Sequence, residues 1–287
     1  MRLPPSITVQ AERLVPGGRR WSVALQLGGE RVPGVLLLPP DHDEARAGGA
    51  PEGPGPRRAP RRARRTARGV PGALLLHGYA SRKELMADTV GTALLRHGMA
   101  SLAIDLPLHG DRDGPLQEQA RYNPLLLMRQ WRLALAESTG ALRLLGEVPG
   151  VDRGRLALVG YSMGAYVAVM AAAEEPAARA VVLAAGGDLP ERTPLAGLVR
   201  RVADPLRAVG RFHGRPLLMV HGRHDRTVLP AQAERLFDAA GEPKTLRWWD
   251  SGHYLPPAAV DGAAAWLADA LDGRLAAEAG AADGRGA

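Results

Sequence analysis

A serine with a glycine two positions away on either side is the first feature of the sequence that could carry out chemistry. Residues 160–164 read Gly-Tyr-Ser-Met-Gly; the apolar run 156–159 precedes them and a helical pattern from about 163 to 173 follows. A Gly-x-Ser-x-Gly sequence between a strand and a helix is typical of a sharp turn that presents the serine hydroxyl above a sheet. Glycine suits both positions because the strained turn brings other backbone too close for a Cβ atom. The pattern predicts that Ser162 is a nucleophile.

A serine hydroxyl needs a base to accept its proton, and the base needs a carboxylate to orient it. After a nucleophile of this type, the acid and then the histidine are expected in chain order. Asp225 follows the apolar run 216–220, and His253 follows the run 245–249. Because ligand sites of parallel sheets lie beyond the carboxyl ends of the strands, we expect Ser162, Asp225 and His253 to meet there as a catalytic triad.

Three further aspartates leave alternatives open. Asp188 and Asp204 also lie between Ser162 and His253 in the sequence and compete with Asp225 for the role of the acid. Asp250 could assist the histidine from the same loop. Asp225 is preferred because it directly follows a strand that runs to the same edge of the sheet.

Two histidine-containing stretches also allow a metal site to be considered. The two sets of side chains are His221 and His224 with Asp225, and His109 with Asp111 and Asp113. Imidazoles and carboxylates are zinc ligands in proteins. The triad already accounts for Asp225, and a polar loop accounts for the second set, so no metal and no cofactor are expected.

Acyl transfer also requires hydrogen-bond donors for the oxyanion that forms on the substrate. One donor is expected from the backbone N–H of the residue after the nucleophile, which is Met163. The other is expected from the loop that follows the apolar run 73–76, where Tyr79 is the preferred donor and Ala80 the second choice. Glycine at position 78 would allow this loop to approach the nucleophile closely.

Mostly apolar runs alternate with helical patterns from residue 73 onward. Strands of that kind are buried on both faces, so the alternation predicts an α/β fold with a mostly parallel sheet and helices on both faces. Before residue 40, β-rich runs around 6–11, 21–27 and 32–38 are separated by Gly-Gly and Pro-Gly turns. These runs predict an N-terminal antiparallel meander.

Five short stretches, taken in order, resemble the α/β-hydrolase superfamily. They are His-Gly at 77–78, Asp-Leu-Pro-Leu-His-Gly at 105–110, the serine turn at 160–164, His-Gly-Arg-His-Asp at 221–225 and Ser-Gly-His at 251–253. The resemblance is greatest to the dienelactone-hydrolase-like and prolyl-oligopeptidase-like esterases, and it spans about 70–272. It implies the α/β-hydrolase fold with eight strands. Two positions depart from the family pattern: Leu108 replaces a usual glycine, and Ser162 stands where dienelactone hydrolases have cysteine.

Aromatic and histidine side chains beside these motifs are candidates for substrate contacts. Tyr161 and Tyr254 adjoin Ser162 and His253 in the sequence, and His109 lies in the 105–110 stretch.

Residues 187–213 interrupt the alternation of strands and helices and carry apolar residues at helical spacing. This segment therefore predicts one or two short amphipathic helices, either as a small cap over the site or as packing at the edge of the sheet.

Composition narrows the remaining function classes. The 287 residues include no cysteine, which excludes a thiolate nucleophile and cysteine-bound metal centres. Residues 45–69 hold eight arginines and one acid, and so account for the whole formal net charge of +7. Because this stretch has almost no apolar surface to bury, it predicts a disordered basic insertion. It also lacks aromatic side chains on which bases could stack, so no nucleic-acid partner is expected.

Other features of the sequence concern its domain organisation and its location. The sequence predicts a single domain over 1–272 and a flexible tail over 273–287. No run reaches the roughly 18 to 20 apolar residues that cross a bilayer, and the first ten residues lack the apolar stretch of a secretion signal. A cytoplasmic location is therefore expected, and nothing in the sequence indicates the oligomeric state.

Together these features predict a serine carboxylesterase that acts on small-molecule esters. An aminopeptidase-like enzyme or an acyltransferase would use the same residues and remains an alternative. A non-catalytic binding protein with the same fold is an alternative of another class.

Deletion of residues 45–69 tests the interpretation of the basic insertion. We expect turnover of a small p-nitrophenyl ester to be nearly unchanged, because a solvated loop makes no contact that the site needs. Steady-state kinetics and circular dichroism measure activity and folding together. Loss of activity in a variant that keeps its fold would contradict the interpretation.

Overall fold

Alternate residues of the central strands face opposite sides of the sheet, and both sides are apolar. In the strand Val70–Leu76, Leu74 and Leu76 belong to one buried cluster, whereas Ala73 and Leu75 belong to another. Neither face can be left to water, because each would expose a continuous apolar surface. The sheet therefore needs a layer of helices on each side, and it has both.

The computed structural model describes residues 3–40, 69–112, 123–190 and 200–275, and nine strands of these residues form one mixed sheet. In chain order the strands are β1 (Ile7–Val15), β2 (Gly18–Leu27), β3 (Glu30–Leu38), β4 (Val70–Leu76), β5 (Ala100–Ile104), β6 (Val151–Tyr161), β7 (Ala178–Ala184), β8 (Leu217–Gly222) and β9 (Lys244–Trp249). They lie in the order β1-β2-β3-β5-β4-β6-β7-β8-β9. β1 pairs antiparallel with β2, β2 with β3, and β3 with β5, whereas the neighbouring strands among β4 to β9 pair parallel.

The structure confirms the predicted fold class, including the N-terminal meander, but corrects the strand count from eight to nine among the described residues. The meander contributes three antiparallel strands to six parallel ones. The edge strand β1 extends to Val15 and is longer than its sequence pattern suggested. The sequence did not reveal this length, since only Ile7 of its nine residues is buried. A strand that exposes nearly every side chain has no apolar alternation by which it could be recognised.

The helices form two layers over the sheet. They are α1 (Lys83–Met86), which continues through a π-helical turn (Ala87–Gly91) into α2 (Thr92–Arg96), then α3 (Pro124–Gly146), α4 (Met163–Glu174), α5 (Pro205–Val209), α6 (Pro230–Ala239) and α7 (Pro257–Asp272). A short 3₁₀ turn spans Gly110–Arg112. Buried residues of α1, α2 and α7 pack on one face of the sheet, and those of α3 to α6 pack on the other.

The direction of the chain across the sheet reverses beside β4. From β4 the chain moves to β5 on one side, and helix α3 then returns it to β6 on the other side. Such a reversal leaves a crevice at the carboxyl ends of the strands, where loops diverge to opposite faces. Gly78 and Ser162 follow the ends of β4 and β6, so this crevice is where the sequence placed its nucleophile.

The described part of segment 187–213 packs against the core. Val209 and Phe212 are almost fully buried. The buried carboxylate of Asp188 accepts two hydrogen bonds of 2.9 Å from Arg200, which anchors the start of the segment to its later part. Residues 191–199 lie outside the described residues, so the cap interpretation of that part stays a prediction.

Two other expectations concern undescribed stretches. The basic insertion lies outside the described residues apart from Gly69, and so does the tail from residue 276 onward. Among the residues that are described, no helix has both the length and the apolar character that crossing a membrane requires.

Candidate active site

Ser162 occupies a strained turn between β6 and α4. Its φ and ψ are 52° and −114°, a combination that typically costs a non-glycine residue about 1–3 kcal/mol. The Ser162 N–H donates to the carbonyl of Ala184 at 2.8 Å, which holds the turn against β7. A Cβ at Gly160 would lie 2.2 Å from the Gly164 carbonyl oxygen, and a Cβ at Gly164 would lie 2.2 Å from that of Leu76. The flanking glycines are therefore required by backbone packing.

A chain of two hydrogen bonds connects the three residues that the sequence selected as a triad. His253 Nδ1 lies 2.8 Å from Asp225 Oδ2, and His253 Nε2 lies 3.0 Å from Ser162 Oγ. A carboxylate only accepts hydrogen bonds, so Nδ1 carries the proton and Nε2 presents its lone pair to the serine hydroxyl. This arrangement can move a proton from the hydroxyl to the imidazole.

The Asp225 carboxylate is buried but has a full set of donors. Its Oδ1 accepts the backbone N–H groups of Thr227 and Val228 at 2.8 and 3.0 Å, and its Oδ2 faces His253. Three donors thus face this carboxylate in a site that water does not reach. The loop that carries Asp225 packs closely against the loop that carries His253. A Cβ added to Gly222 would lie 2.1 Å from the carbonyl oxygen of Gly252, so only glycine fits there.

The competing aspartates have other partners. Asp188 is engaged by Arg200, as described above. Asp204 caps helix α5 by accepting a backbone N–H of its first turn. Asp250 is exposed and pairs with the exposed His224 at 2.7 Å. None of these carboxylates contacts His253 in the described structure, and Asp225 does.

Met163 directly follows Ser162, and the loop that carries Tyr79 passes close to Ser162. Met163 is the first residue of α4, and N–H groups in the first turn of a helix have no carbonyl partner within that helix. The positive end of the helix dipole adds to the attraction for an anion there. Gly78 passes close to the nucleophile, since a Cβ added to it would lie 3.4 Å from the Ser162 Cβ, and Tyr79 follows it. The roles of Met163 and Tyr79 as donors stay predictions.

Sequence reasoning missed the role of His77, which ties the Tyr79 loop to the loop after β5. The ring is fully buried; Nδ1 donates to the Gly78 carbonyl at 2.7 Å, and Nε2 accepts the Leu106 N–H at 3.0 Å. Burial lowers the pKa of His77, so the ring is neutral and can both donate and accept. The His-Gly pair was visible in the sequence, but only as a turn.

A buried lysine holds the loop after β5 from below. Lys83 Nζ lies 2.8 Å from Asp105 and 2.7 Å from Asp111. Burial works against its charge, but hydrogen bonds to these carboxylates prevail and raise the pKa of Lys83. Gly110 is needed here because a Cβ would lie 2.2 Å from an Asp105 oxygen. Leu108 has a φ of 65°, so it keeps the left-handed backbone that explains why glycine is usual at this position.

The three residues predicted to contact substrate have different surroundings. The Tyr161 hydroxyl donates to the backbone carbonyl of His253, so this side chain positions the histidine loop. Tyr254 is 83% exposed, and its ring forms a T-shaped pair with the ring of His253. His109 is buried beside Tyr79, and its Nδ1 donates to the Pro107 carbonyl at 2.8 Å. Its Nε2 has no hydrogen-bond partner among the described residues.

The side chains considered as metal ligands have other contacts. His221 is fully buried and donates through Nε2 to the Val228 carbonyl at 2.9 Å, while His224 lies at the surface with Asp250. Asp113, of the second set, lies outside the described residues. Within the described ranges, no group of three or more histidine, aspartate or glutamate side chains is arranged to hold a metal ion.

Comparisons with known proteins identify the family of the chain. Residues 73–286 match the alpha/beta hydrolase family. The uncharacterized protein Rv2307c of Mycobacterium tuberculosis (strain ATCC 25618 / H37Rv) is 29% identical over 180 residues, which are 61% of this chain and 59% of the relative. The chain thus matches less than two thirds of the length of that curated relative.

Solved structures share the fold. A novel cold-adapted esterase from an Arctic intertidal metagenomic library superposes with a TM-score of 0.63 at 20% identity, covering 92% of this chain and 99% of that one. Dienelactone hydrolase from Anabaena variabilis ATCC 29413 superposes with a TM-score of 0.60, also at 20% identity, covering 90% and 98% of the two chains. At these identities the likeness establishes the fold alone.

The two buried histidines predict a pH-dependent stability. Burial lowers the pKa values of His77 and His221. As the pH falls, these two histidines therefore bind protons in the unfolded chain before they do so in the folded chain. The free energy of unfolding should therefore be constant above the ordinary histidine pKa and fall below it. The expected slope is at most about 1.4 kcal/mol per pH unit for each histidine. Urea denaturation between pH 7.5 and 5.5 measures this slope.

Matched variants assign the slope to these side chains. His77→Gln should remove about half of it, and His97→Gln, at an exposed position, should leave it as in the wild type. An unchanged slope in both His77→Gln and His221→Gln would show that other groups cause the effect.

Proposed function

The chain belongs to the alpha/beta hydrolase family, and from that premise we propose that it is a serine carboxylesterase for small carboxylic esters. The observation that carries the proposal is the hydrogen-bonded series from Ser162 through His253 to Asp225, at 3.0 and 2.8 Å. A serine hydroxyl aligned with the free nitrogen of an oriented imidazole is the arrangement that acyl transfer requires. The chain has no cysteine, so a thiolate cannot replace Ser162 as nucleophile.

The proposed reaction has two halves. In the first, His253 Nε2 takes the proton of Ser162 as Oγ attacks the ester carbonyl, and the resulting imidazolium returns the proton to the departing alkoxide. An acyl group is then bound to Ser162. In the second half, His253 takes a proton from water, which attacks the acyl carbon, and returns it to Oγ as the carboxylic acid leaves. Asp225 stays ionised throughout and stabilises the imidazolium.

Backbone donors would stabilise the oxyanion in both halves. The Met163 N–H at the start of α4 and the Tyr79 N–H in the loop after β4 are assigned to this role. Their support is the placement of both residues beside the strained Ser162 turn, which the buried His77 bridge fixes on one side. Pre-organised donors of this kind are typically worth about 2.7–4 kcal/mol each in the transition state.

Esters are preferred over amides as substrates because an alkoxide leaves more easily than an amine anion. The names of the structural neighbours given above point the same way for those proteins, one an esterase and one a dienelactone hydrolase. An aminopeptidase-like or acyltransferase activity would use the same residues and is distinguished by assaying amides and alternative acyl acceptors. A fluorophosphonate probe tests the non-catalytic alternative, since only an activated serine reacts with it.

Replacing the nucleophile or the acid tests the mechanism. Ser162→Ala should lower kcat roughly 10⁴-fold or more, since it removes the atom that attacks the substrate. Asp225→Asn should lower kcat by a comparable factor, because an amide can donate to Nδ1 and turn the imidazole lone pair away from the serine. Hydrolysis of p-nitrophenyl acetate by the purified variants measures both effects.

Asp188→Asn is the matched control, since Asp188 is another buried aspartate that the sequence left as a candidate acid. On the folded protein its kcat should stay within a few-fold of the wild type, although its melting temperature should fall because Arg200 and Arg235 each lose an ionic partner. Turnover that survived in Ser162→Ala, or that depended on Asp188 and not on Asp225, would reject the assignment.

We further assign His109 to the alcohol side of the substrate. Because Nδ1 donates to a carbonyl, the neutral ring has a bare acceptor at Nε2, and that atom is buried without a partner in the described structure. A buried acceptor without a donor is unfavourable, so a substrate hydroxyl that reached it would be bound with a gain in free energy.

His109→Phe tests this assignment by keeping a ring and removing the acceptor. The KM for glycerol monobutyrate should rise about fivefold, which corresponds to the loss of one neutral hydrogen bond, with kcat little changed. Propyl butyrate, which lacks the hydroxyl groups, serves as the matched substrate and should be unaffected. Equal effects on the two esters would reject the assignment of His109 to the alcohol site, and the assignment of the triad would be unaffected.

A further inference from the structure

A second concave surface lies at the amino ends of the strands, at the opposite end of the sheet from Ser162. It has a volume of about 710 Å³ and is formed by the start of β7, the turn before β8, part of β6 and the end of α7. We call it the basic groove. Its charged and titratable lining residues are Arg155, Arg179, Arg211, His213, Arg215 and Asp272.

The acid in the basic groove is already neutralised. Asp272 accepts a hydrogen bond from Arg155 at 2.5 Å, and Arg155 also pairs with Asp152 at 2.9 Å. Asp272 is further contacted by Arg274 at 2.5 Å. Arg155 and Asp272 therefore leave no excess negative charge for the other arginines of the groove.

Arg215 is a cation without a carboxylate partner in the described structure. Its guanidinium donates to the carbonyls of Ala172, Glu175 and Ala178 at 2.8, 3.2 and 2.9 Å, and to that of Phe212 at 2.8 Å. These bonds satisfy its N–H groups but do not cancel its charge. Burial, followed by the positive charge of Arg179, lowers the pKa of Arg215, while the nearby carboxylate of Glu175 acts in the opposite direction.

Arg179 and Arg211 carry the remaining charge. Both are exposed, and neither has a carboxylate partner among the described residues. The carboxyl ends of α4 and α7 contribute about half a negative charge each. Three arginines set against about one unit of helix charge leave an excess of roughly two positive charges.

We propose that the basic groove binds a small molecule that carries a phosphate or pyrophosphate group. Arg179 and Arg211 have free guanidinium groups, which match phosphate oxygens in paired hydrogen bonds. The N–H groups of Arg215 are already bonded to backbone carbonyls, so Arg215 attracts an anion only through its positive charge. A ligand with two negative charges balances the excess of about two positive charges, whereas a single carboxylate would leave about one of them unbalanced. The proposal does not depend on the esterase assignment, because the groove and the Ser162 site share no residue.

The shape of the groove selects a small ligand over a lipid surface. Its lining is concave, and it is set between a helix end and two strand starts. A flat bilayer could not bring its headgroups to Arg215, which is partly buried. A free phosphorylated molecule could enter the groove and approach all three arginines.

Titration calorimetry with inorganic pyrophosphate tests the proposal on the full chain. The wild type should bind pyrophosphate at 50 mM NaCl, and the affinity should fall as salt is raised, since the contacts are ionic. The double variant R179Q/R211Q should bind more than about tenfold more weakly. The exposed pair on α3 provides the control, because R129Q/R132Q removes the same net charge elsewhere and should bind like the wild type.

Four outcomes would overturn the proposal. They are no binding of pyrophosphate or phosphatidylglycerol vesicles, binding of the vesicles without binding of pyrophosphate, equal weakening of pyrophosphate binding in the two double variants, and pyrophosphate binding that does not respond to salt. Thermal melting of each variant confirms that the protein compared is folded. Both arginines are exposed, so their replacement by glutamine should leave the melting temperature close to that of the wild type.

Discussion

The rest of the site depends on a close approach of backbone at the point where β4, β6 and α4 meet. Gly160 and Gly164 pack so tightly that a methyl group at either would lie within 2.2 Å of a carbonyl oxygen. That contact forces the chain through the strained conformation of Ser162, which no local preference of serine would select. A cost of about 1–3 kcal/mol is sustainable because the strands and helix on both sides are buried and cannot relax independently. The hydroxyl therefore lies above the sheet.

Neutral histidines supply a second constraint. His77 and His221 are fully buried, and each has a carbonyl partner that fixes which ring nitrogen carries the proton. His77 joins the two loops that follow β4 and β5, and His221 supports the loop that carries Asp225. A lysine could not replace His77, because the ring must donate to one backbone group and accept from another. The same burial that orients these rings makes them sensitive to protonation, so the frame of the site is more stable at neutral than at acidic pH.

The elements that the sequence predicted best are those with the strongest periodicity. Most parallel strands and the long helices were found within two or three residues, because mostly apolar runs mark the strands and helical spacing of apolar residues marks the helices, whereas β6 begins five residues before its predicted run. The triad was predictable because Ser162, Asp225 and His253 each follow a strand, and parallel strands bring such positions to one edge. β1 was too exposed to show its length, and Lys83 was not recognised because its partners Asp105 and Asp111 are more than twenty residues away. The basic groove collects arginines from β6, β7 and the turn before β8, and no local pattern joins them.

Helix α4 connects the two edges of the sheet, which raises the question of whether the two sites influence each other. It begins beside Ser162, and Arg215 binds carbonyls at its far end. Its 12 residues span about 18 Å, roughly twice the distance over which physiological salt screens exposed charges. An anion in the basic groove would therefore change the potential at Ser162 only weakly. Coupling would require α4 to shift as a body, yet Gly164 holds its first turn against Leu76 with no space for movement toward β4. The packing that creates the nucleophile turn thus isolates it from charge at the opposite edge, and the two surfaces should act independently.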